Sequence, residues 1–365
     1  MPQYTNPGVY IEEVDSGAHP IAGVSTDRTA LVGLAPAGPW APTLITSFTE
    51  YQQTFGGAAP DLNITRAVRG FFDNGGQRCY VLHVQSGAAS AAQILAPLDH
   101  LTDISMVSCP DEHSIPGMTA ALVAHCENHR DRVAVLAATM GSTYVNDPPQ
   151  EAQSGFAAFY APWVLVASSR GGPAAPVHPG GHVAGAIAAN DLNRGVWVAP
   201  GNLPLAGIVG LEQQINAAQA SVLNQRGIDT LRNIPPNGCR VWGARTTSSD
   251  PEWQYLNVRR YLIYLEQSLQ QGLQWAVFEP NGGVLWANVR QVVENFLLNQ
   301  FRSGALQGTT PQQAYFVRCD LTTMAQADLD NGQVNCLVGV APLTPAQFVV
   351  FQIAVVTATV GPPPQ

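Results

Sequence analysis

The chain has 365 residues, enough for two bodies that each bury a core. Apolar residues make up 46% and charged residues only 12%, against about 25% charged in ordinary soluble domains, so either partners cover much of the surface or the chain is simply Ala- and Gly-rich. The formal net charge is −9 and all 17 basic residues are arginine, which speaks against broad nucleic-acid binding and excludes a Walker A lysine and Schiff-base chemistry.

At the N-terminus, Val9 and Ile11 alternate with Tyr10 and Glu12 in a strand pattern running from Gly8 to Val14. So short a strand cannot bury itself and must pair elsewhere. A turn-rich linker, Ser16 to Gly23, separates it from the next body. No basic segment followed by an apolar one marks a secretory signal, and no apolar run reaches the ~20 residues of a membrane span. The six cysteines, scattered at 79, 109, 126, 239, 319 and 336, read as reduced thiols of a protein made in a cytoplasm.

From Thr29 to Ser169 short apolar runs alternate with helical stretches. The strands expected are Thr29 to Ala35, Arg78 to Val84, Ile104 to Cys109, Arg132 to Ala137 and Trp163 to Ser168. The helices expected are Leu62 to Asn74, Ala88 to Leu95 and Pro116 to Arg130, the first stopped by Gly75-Gly76. That alternation predicts an α/β layer with a partly parallel sheet. Gly141 to Gln153 and Arg170 to Gly181 read as surface loops.

Beyond Gly201 the helical stripes lengthen. Leu211, Ile215, Ala218 and Val222 form one; Val258, Tyr261, Leu262, Leu265 and Leu269 form the next, with a capping box at Ser249 to Glu252; Leu285, Val289, Val292, Val293, Phe296 and Leu297 form a third. PNGG at 280–283 reads as a turn between a strand ending at Phe278-Glu279 and a helix starting near Val284. Strands are expected at Ala314 to Cys319 and Gln333 to Val340. After Pro342 to Pro345, the run Gln347 to Val360 is apolar on both strand faces: Phe348, Val350, Ala354, Val356 and Val360 on one, Val349, Phe351, Ile353 and Val355 on the other. Such a strand wants neighbours on both sides and reads as an arm that joins a sheet in another subunit.

The ordered motifs APGN, GARTTSSDPEWQYLNVRR, FEPNGGVLW, AYFVRCD and VGVAPLTPAQF, between Ala199 and Phe348, together with YAPWVLVASS, PGGHVAGAIAANDLN and the N-terminal PGVYIEEV, resemble contractile tail sheath proteins of phages, R-type bacteriocins and extracellular contractile injection systems. One departure is Ala189-Asn190, where relatives often place an arginine shortly before the aspartate. The resemblance implies an outer α/β domain (residues 25–199) and an inner α+β sheath core domain (200–346), with arms at 1–24 and 347–365 whose terminal strands are exchanged with neighbouring subunits. It implies stacked hexameric rings around a tail tube, capped by baseplate and terminal proteins, assembled in the bacterial cytoplasm and released by lysis, with no enzyme activity, cofactor, nucleic acid or membrane insertion. Among the arginines of the C-terminal half, Arg259, Arg260, Arg290 and Arg302 become candidates for contacts to the tube or to neighbours.

Cys109, His113, His125, Cys126 and His129 are the nearest approach to a metal or nucleophile cluster, since His125 and His129 share a helical face. The alternative is one helix with a packed cysteine and histidines at its polar edge. Glu279 reads as a capping or pairing carboxylate. Against the sheath stand two rivals: a monomeric α/β hydrolase-like enzyme with a His and Cys or Ser site in the first domain, and a static shell or tube subunit.

Overall fold

Strand β1 (Thr29–Gly33) is buried at every position and hydrogen-bonds in parallel to a strand on each side. A strand so placed needs apolar residues on both faces, which TALVG supplies. The computed structural model that contains it describes residues 19–57, 59–84, 90–141, 152–168 and 171–345. Val9 to Glu12 and the arm containing Phe348 to Val355 lie outside the described residues.

The first body continues in chain order as β2 (Thr43–Ile45), α1 (Phe48–Phe55), α2 (Asn63–Asp73), β3 (Cys79–His83), α3 (Ala91–Leu95), β4 (Met106–Ser108), α4 (Met118–His129), β5 (Val133–Ala137), β6 (Ala157–Ala161), β7 (Val164–Val166), β8 (Ala175–Val177), α5 (Gly180–Arg194), β9 (Leu203–Pro204), β10 (Gly210–Leu211), α6 (Ala217–Gln225), β11 (Ile228–Asn233) and β12 (Cys239–Trp242). Its main sheet has nine strands among the described residues, in the order β2-β3-β1-β4-β5-β6-β11-β12-β9. The run from β3 to β11 is parallel throughout; β2 is added antiparallel at one end, and β12 and then β9 antiparallel at the other. A small sheet, β10-β7-β8, lies beside it.

Helices α2 and α5 pack backbone to backbone. The PGGHVAGA sequence makes this possible: a Cβ on Gly181 would overlap the Ala67 carbonyl, and one on Gly185 the Phe71 carbonyl. On the facing helix, Gly70 leaves room for the His182 ring. Ile64, Ala67, Val68 and Phe71 form the buried stripe of α2.

The second body comprises α7 (Leu256–Gly272), α8 (Gly283–Arg302), α9 (Pro311–Ala314), β13 (Tyr315–Arg318), α10 (Gln326–Asp330) and β14 (Leu337–Val340). Its core gathers Tyr261 and Leu265 of α7 with Leu285, Val289, Val293, Phe296 and Leu297 of α8 under the β13-β14 pair. Helix α7 also serves the first core through Leu256 and Ile263. Its two apolar faces weld the bodies together. No helix among the described residues is long and apolar enough to cross a membrane.

Several expectations need correction. A boundary at 199/200 cuts the main sheet, because β9, β11 and β12 complete it; these strands carry too few alternating residues to stand out in sequence. The strand that extends β5 is Ala157–Ala161, and the expected Trp163 to Ser168 strand sits in the small sheet as Val164–Val166. The loop expected over Arg170 to Gly181 contains β8 and the first turn of α5. Helix α6 buries Ala220 and Leu223, not Ala218 and Val222, because it starts only after the Asn216 capping box. Helix α7 starts at Leu256 rather than at a Ser249 box, and Val277-Phe278 is an exposed turn, not a strand end. The linker end, His19 to Thr26, does not float between bodies. It runs along α7, with His19 stacked on Trp275 at 4.6 Å between centroids and Val24 N donating to Ser268 Oγ at 3.1 Å.

Candidate functional site

The connection after β12 is built by GARTTSSDPEW. Arg245 N donates to both carboxylate oxygens of Asp229 at 3.0 and 3.1 Å, and Gly243 passes so close to that carboxylate that a Cβ would overlap it. Burial pushes the Asp229 carboxyl up to about 8. Thr246 N donates to Gln254 O at 3.0 Å and Thr246 Oγ1 to Trp253 O at 2.5 Å, folding the segment back on itself. Thr247 N donates to Ala157 O at 2.9 Å, pinning the segment to β6.

At the start of α7, the residues of LNVRR reach in different directions. Asn257 Nδ2 donates to Trp197 O at 2.9 Å and to Leu343 O at 3.0 Å, joining the α5-β9 connection to the segment by which the described chain ends. The Arg259 guanidinium carbon lies 3.5 Å from the Trp253 ring centroid and 4.2 Å from that of Phe156, while Nε donates to Gly155 O at 3.2 Å. Burial lowers its proton affinity to about 10. Arg260 spans three segments: Nη1 and Nη2 donate to Asp191 of α5 at 3.0 and 2.7 Å, and Nη2 also to Thr26 O at 2.8 Å. Burial raises the Asp191 carboxyl, and Arg260 opposes the rise.

Arg259 and Arg260 are only 5% and 3% exposed, so the expectation that they face a tube or a neighbour is corrected: both hold the two bodies of this chain together. Position on a helix, not residue type, decides this. The partners that sequence reasoning missed are Asp191, Asn257, Trp253 and Phe156. The one signal present was the absence of an arginine just before the aspartate of ANDLN, whose partner α7 supplies. Arg290 and Arg302 remain on the outer face of α8, Arg290 with its Nε 4.0 Å from Glu294.

Among the described residues, β13 and β14 pair only with each other, which leaves one edge free on each. The chain leaves this body beside them, through an isolated bridge between Leu306 and Pro342 and a bond from Ala341 N to Ala314 O of 2.8 Å. Thus the described chain begins on the second body, with His19 against Trp275, and ends at the junction of the two, where Asn257 holds Leu343 and Pro345 lies beside Gly201 and Trp242.

The histidines form two clusters, Asp99-His125-His129 and Glu112-His113-His178. In the first, Arg132 Nη1 lies 3.2 Å from His125 Nε2; a guanidinium only donates, so Nε2 accepts and Nδ1 carries the proton toward Asp99. His129 Nε2 meets the same carboxylate at 2.9 Å. Burial first, and then the charge of Arg132, lower the His125 pKa to about 4. In the second, Gly180 N donates to His178 Nδ1 at 3.1 Å, so Nε2–H donates to Glu112 Oε1 at 3.0 Å, and that oxygen also accepts from Ala137 N at 2.8 Å. The lone pairs of His125 and His178 are thus directed at structural donors, away from the carboxylate where a cation would sit. Cys109 and Cys126 are fully buried, with thiols raised by that burial, and neither belongs to these clusters. The sequence cluster is therefore not one site.

Residues 87–247 match the phage tail sheath protein central domain and residues 248–356 the phage tail sheath C-terminal domain, a division that falls within the GARTTSSDPEW connection. The contractile helical sheath of the anti-feeding prophage, solved in its contracted state, has the same fold at a TM-score of 0.84 and 30% identity, over 96% of this chain and 99% of that one. The contracted PVC sheath complex of an extracellular contractile injection system gives 0.82 and 27%, over 97% and 98%. The tail sheath protein of Burkholderia phage BcepMu is 30% identical over 138 residues, 34% of this chain and 28% of that protein. The chain matches less than half the length of the curated relatives.

Proposed function

Since the chain belongs to the contractile phage tail sheath family, we propose that it is a structural subunit that polymerises around a tail tube and shortens to drive the tube through a target envelope. The observation that carries this is the likeness to two contracted sheaths over nearly the whole chain, at 27% and 30% identity. The free edges of β13 and β14 support the mode of linkage: arms from neighbouring subunits, Val9 to Glu12 and Phe348 to Val355, add strands there. Main-chain hydrogen bonding along a strand gives register and connectivity while leaving each subunit free to rotate as a rigid body. The Arg260-Asp191 hub keeps each subunit rigid through that rotation.

In this reading rings are hexameric and stack helically, and the assembly meets a tube protein inside and baseplate and cap proteins at its ends. The subunit performs no covalent chemistry and needs no metal, nucleic acid or membrane insertion. It assembles in the bacterial cytoplasm, and the finished particle leaves by lysis. Arg290 and Arg302 contact the tube or an adjacent subunit. Reversing both to Glu should leave the fold intact and weaken salt-sensitive co-sedimentation with tubes; unchanged binding would remove them from the interface.

Deleting residues 347–365 tests the linkage. The truncated chain should keep its circular dichroism and thermal midpoint and fail to form tubes. Long tubes from the truncated chain would sink the strand-exchange reading.

A further inference from the structure

The ladder register, from Tyr315↔Val340 to Arg318↔Leu337, continues by one step to bring Cys319 opposite Cys336. Directly opposed residues of an antiparallel pair have Cα atoms about 4.5 or about 5.5 Å apart. Either separation lies inside the range of about 4.4–6.8 Å that a disulfide spans. The two thiols are near enough for each to shift the other's proton affinity. Strand alternation puts both on the inner face: Val317 and Cys319 are buried while Phe316 is 47% exposed, and Cys336 packs on the same core as Val338 and Val340. Both cysteines are free thiols.

We propose that Cys319 and Cys336 are a redox pair that closes into a cross-strand disulfide on exposure to a small-molecule disulfide such as oxidised glutathione. The half-buried Cys336 is the accessible member. Its thiolate attacks one glutathione sulfur, forming a mixed disulfide and expelling one glutathione thiolate. Cys319 then loses its proton and attacks the Cys336 sulfur, expelling the second. The protein gives up two electrons and two protons, and oxidised glutathione becomes two molecules of the reduced form. Burial pushes the Cys336 thiol up to about 12 and raises Cys319 as well, so closure is slow near neutral pH and accelerates as pH rises. A reducing cytoplasm keeps the pair open, and an oxidising exterior closes it.

The bridge lies on the face turned to α8, not along either edge of the β13-β14 pair. It closes the Asp320 to Asn335 segment into a covalent loop and leaves the edges open to added strands. The chemistry does not depend on the sheath reading.

The test is non-reducing peptide mapping of the full-length wild-type protein after incubation with oxidised glutathione in mildly alkaline, denaturant-free buffer. The expected result is a Cys319–Cys336 cross-linked peptide, loss of the mass of two hydrogens, two fewer titratable thiols, and a thermal midpoint higher by several degrees that returns on reduction. Cys336→Ser should lose the cross-link. Because the mapping is done on the wild-type chain, misfolding of that variant leaves the result standing. A persistent glutathione adduct on Cys336 without a cross-link, or a cross-link formed only in denaturant, would overturn the proposal.

Discussion

Arg260 grips Asp191 with both terminal nitrogens, at 3.0 and 2.7 Å, across the junction between α7 and α5, and both residues are more than nine-tenths buried. Two charges taken out of water recover their desolvation cost only through such two-point geometry, so removing one partner strands the other. Arg260→Met should destabilise the chain by about 3–5 kcal/mol, and Arg260→Met with Asp191→Leu should recover most of that loss. Denaturant unfolding of both variants checks this. A double variant as unstable as the single one would mean that the pair matters through Thr26 rather than through charge.

The α2-α5 contact makes a second prediction. Gly181→Val and Gly185→Val each push a side chain into a main-chain carbonyl of α2, which cannot step aside as a flexible side chain would. Each should cost about 1–3 kcal/mol or more by overpacking. Gly283→Ala is the control: a Cβ there meets nothing and the backbone is not left-handed. Thermal melts that ranked the control below the α5 variants would contradict the packing argument.

Acid and base should each lower stability, through different buried groups. Burial lowers the pKa values of His125 and His182 to about 4, so the folded state favours their neutral forms. Their contribution is complete above the ordinary imidazole range and is lost as pH falls from about 6.5 toward 4. The Asp229 carboxyl, raised to about 8, does the reverse: its contribution is complete below the ordinary carboxylate range and is lost as pH rises from about 4 through 8. Asp229→Asn, which mimics the protonated acid, should flatten the decline on the alkaline side while leaving the acid limb in place. A thermal-midpoint profile that declines equally steeply toward pH 8 in wild type and variant would refute the assignment.

The elements of the first body were legible where apolar runs were dense. Thr29 to Ala35, Arg78 to Val84 and Arg132 to Ala137 all contain strands, because parallel strands buried on both faces leave a continuous apolar signature. The α8 stripe and the β13 and β14 strands were equally plain. Illegible were the pieces whose residues serve long-range geometry. Ala157–Ala161 is small and alanine-rich, and β11 carries Asp229 and Thr230 inside the sheet, so neither announces a strand. The LNVRR arginines looked like surface charge because sequence does not reveal that Asp191, Trp253 and Phe156 wait opposite them. The family motifs marked which segments matter but not that Asn257, Arg259 and Arg260 face inward.

The central claim, a subunit that builds a tube and shortens it, is tested most directly by electron microscopy of the full-length protein co-expressed with its tube and baseplate partners. The account predicts helical tubes in two lengths, one long and narrow and the other shorter and wider, built from the same chain. Small monodisperse particles, or tubes of a single fixed length under every triggering condition, would contradict it.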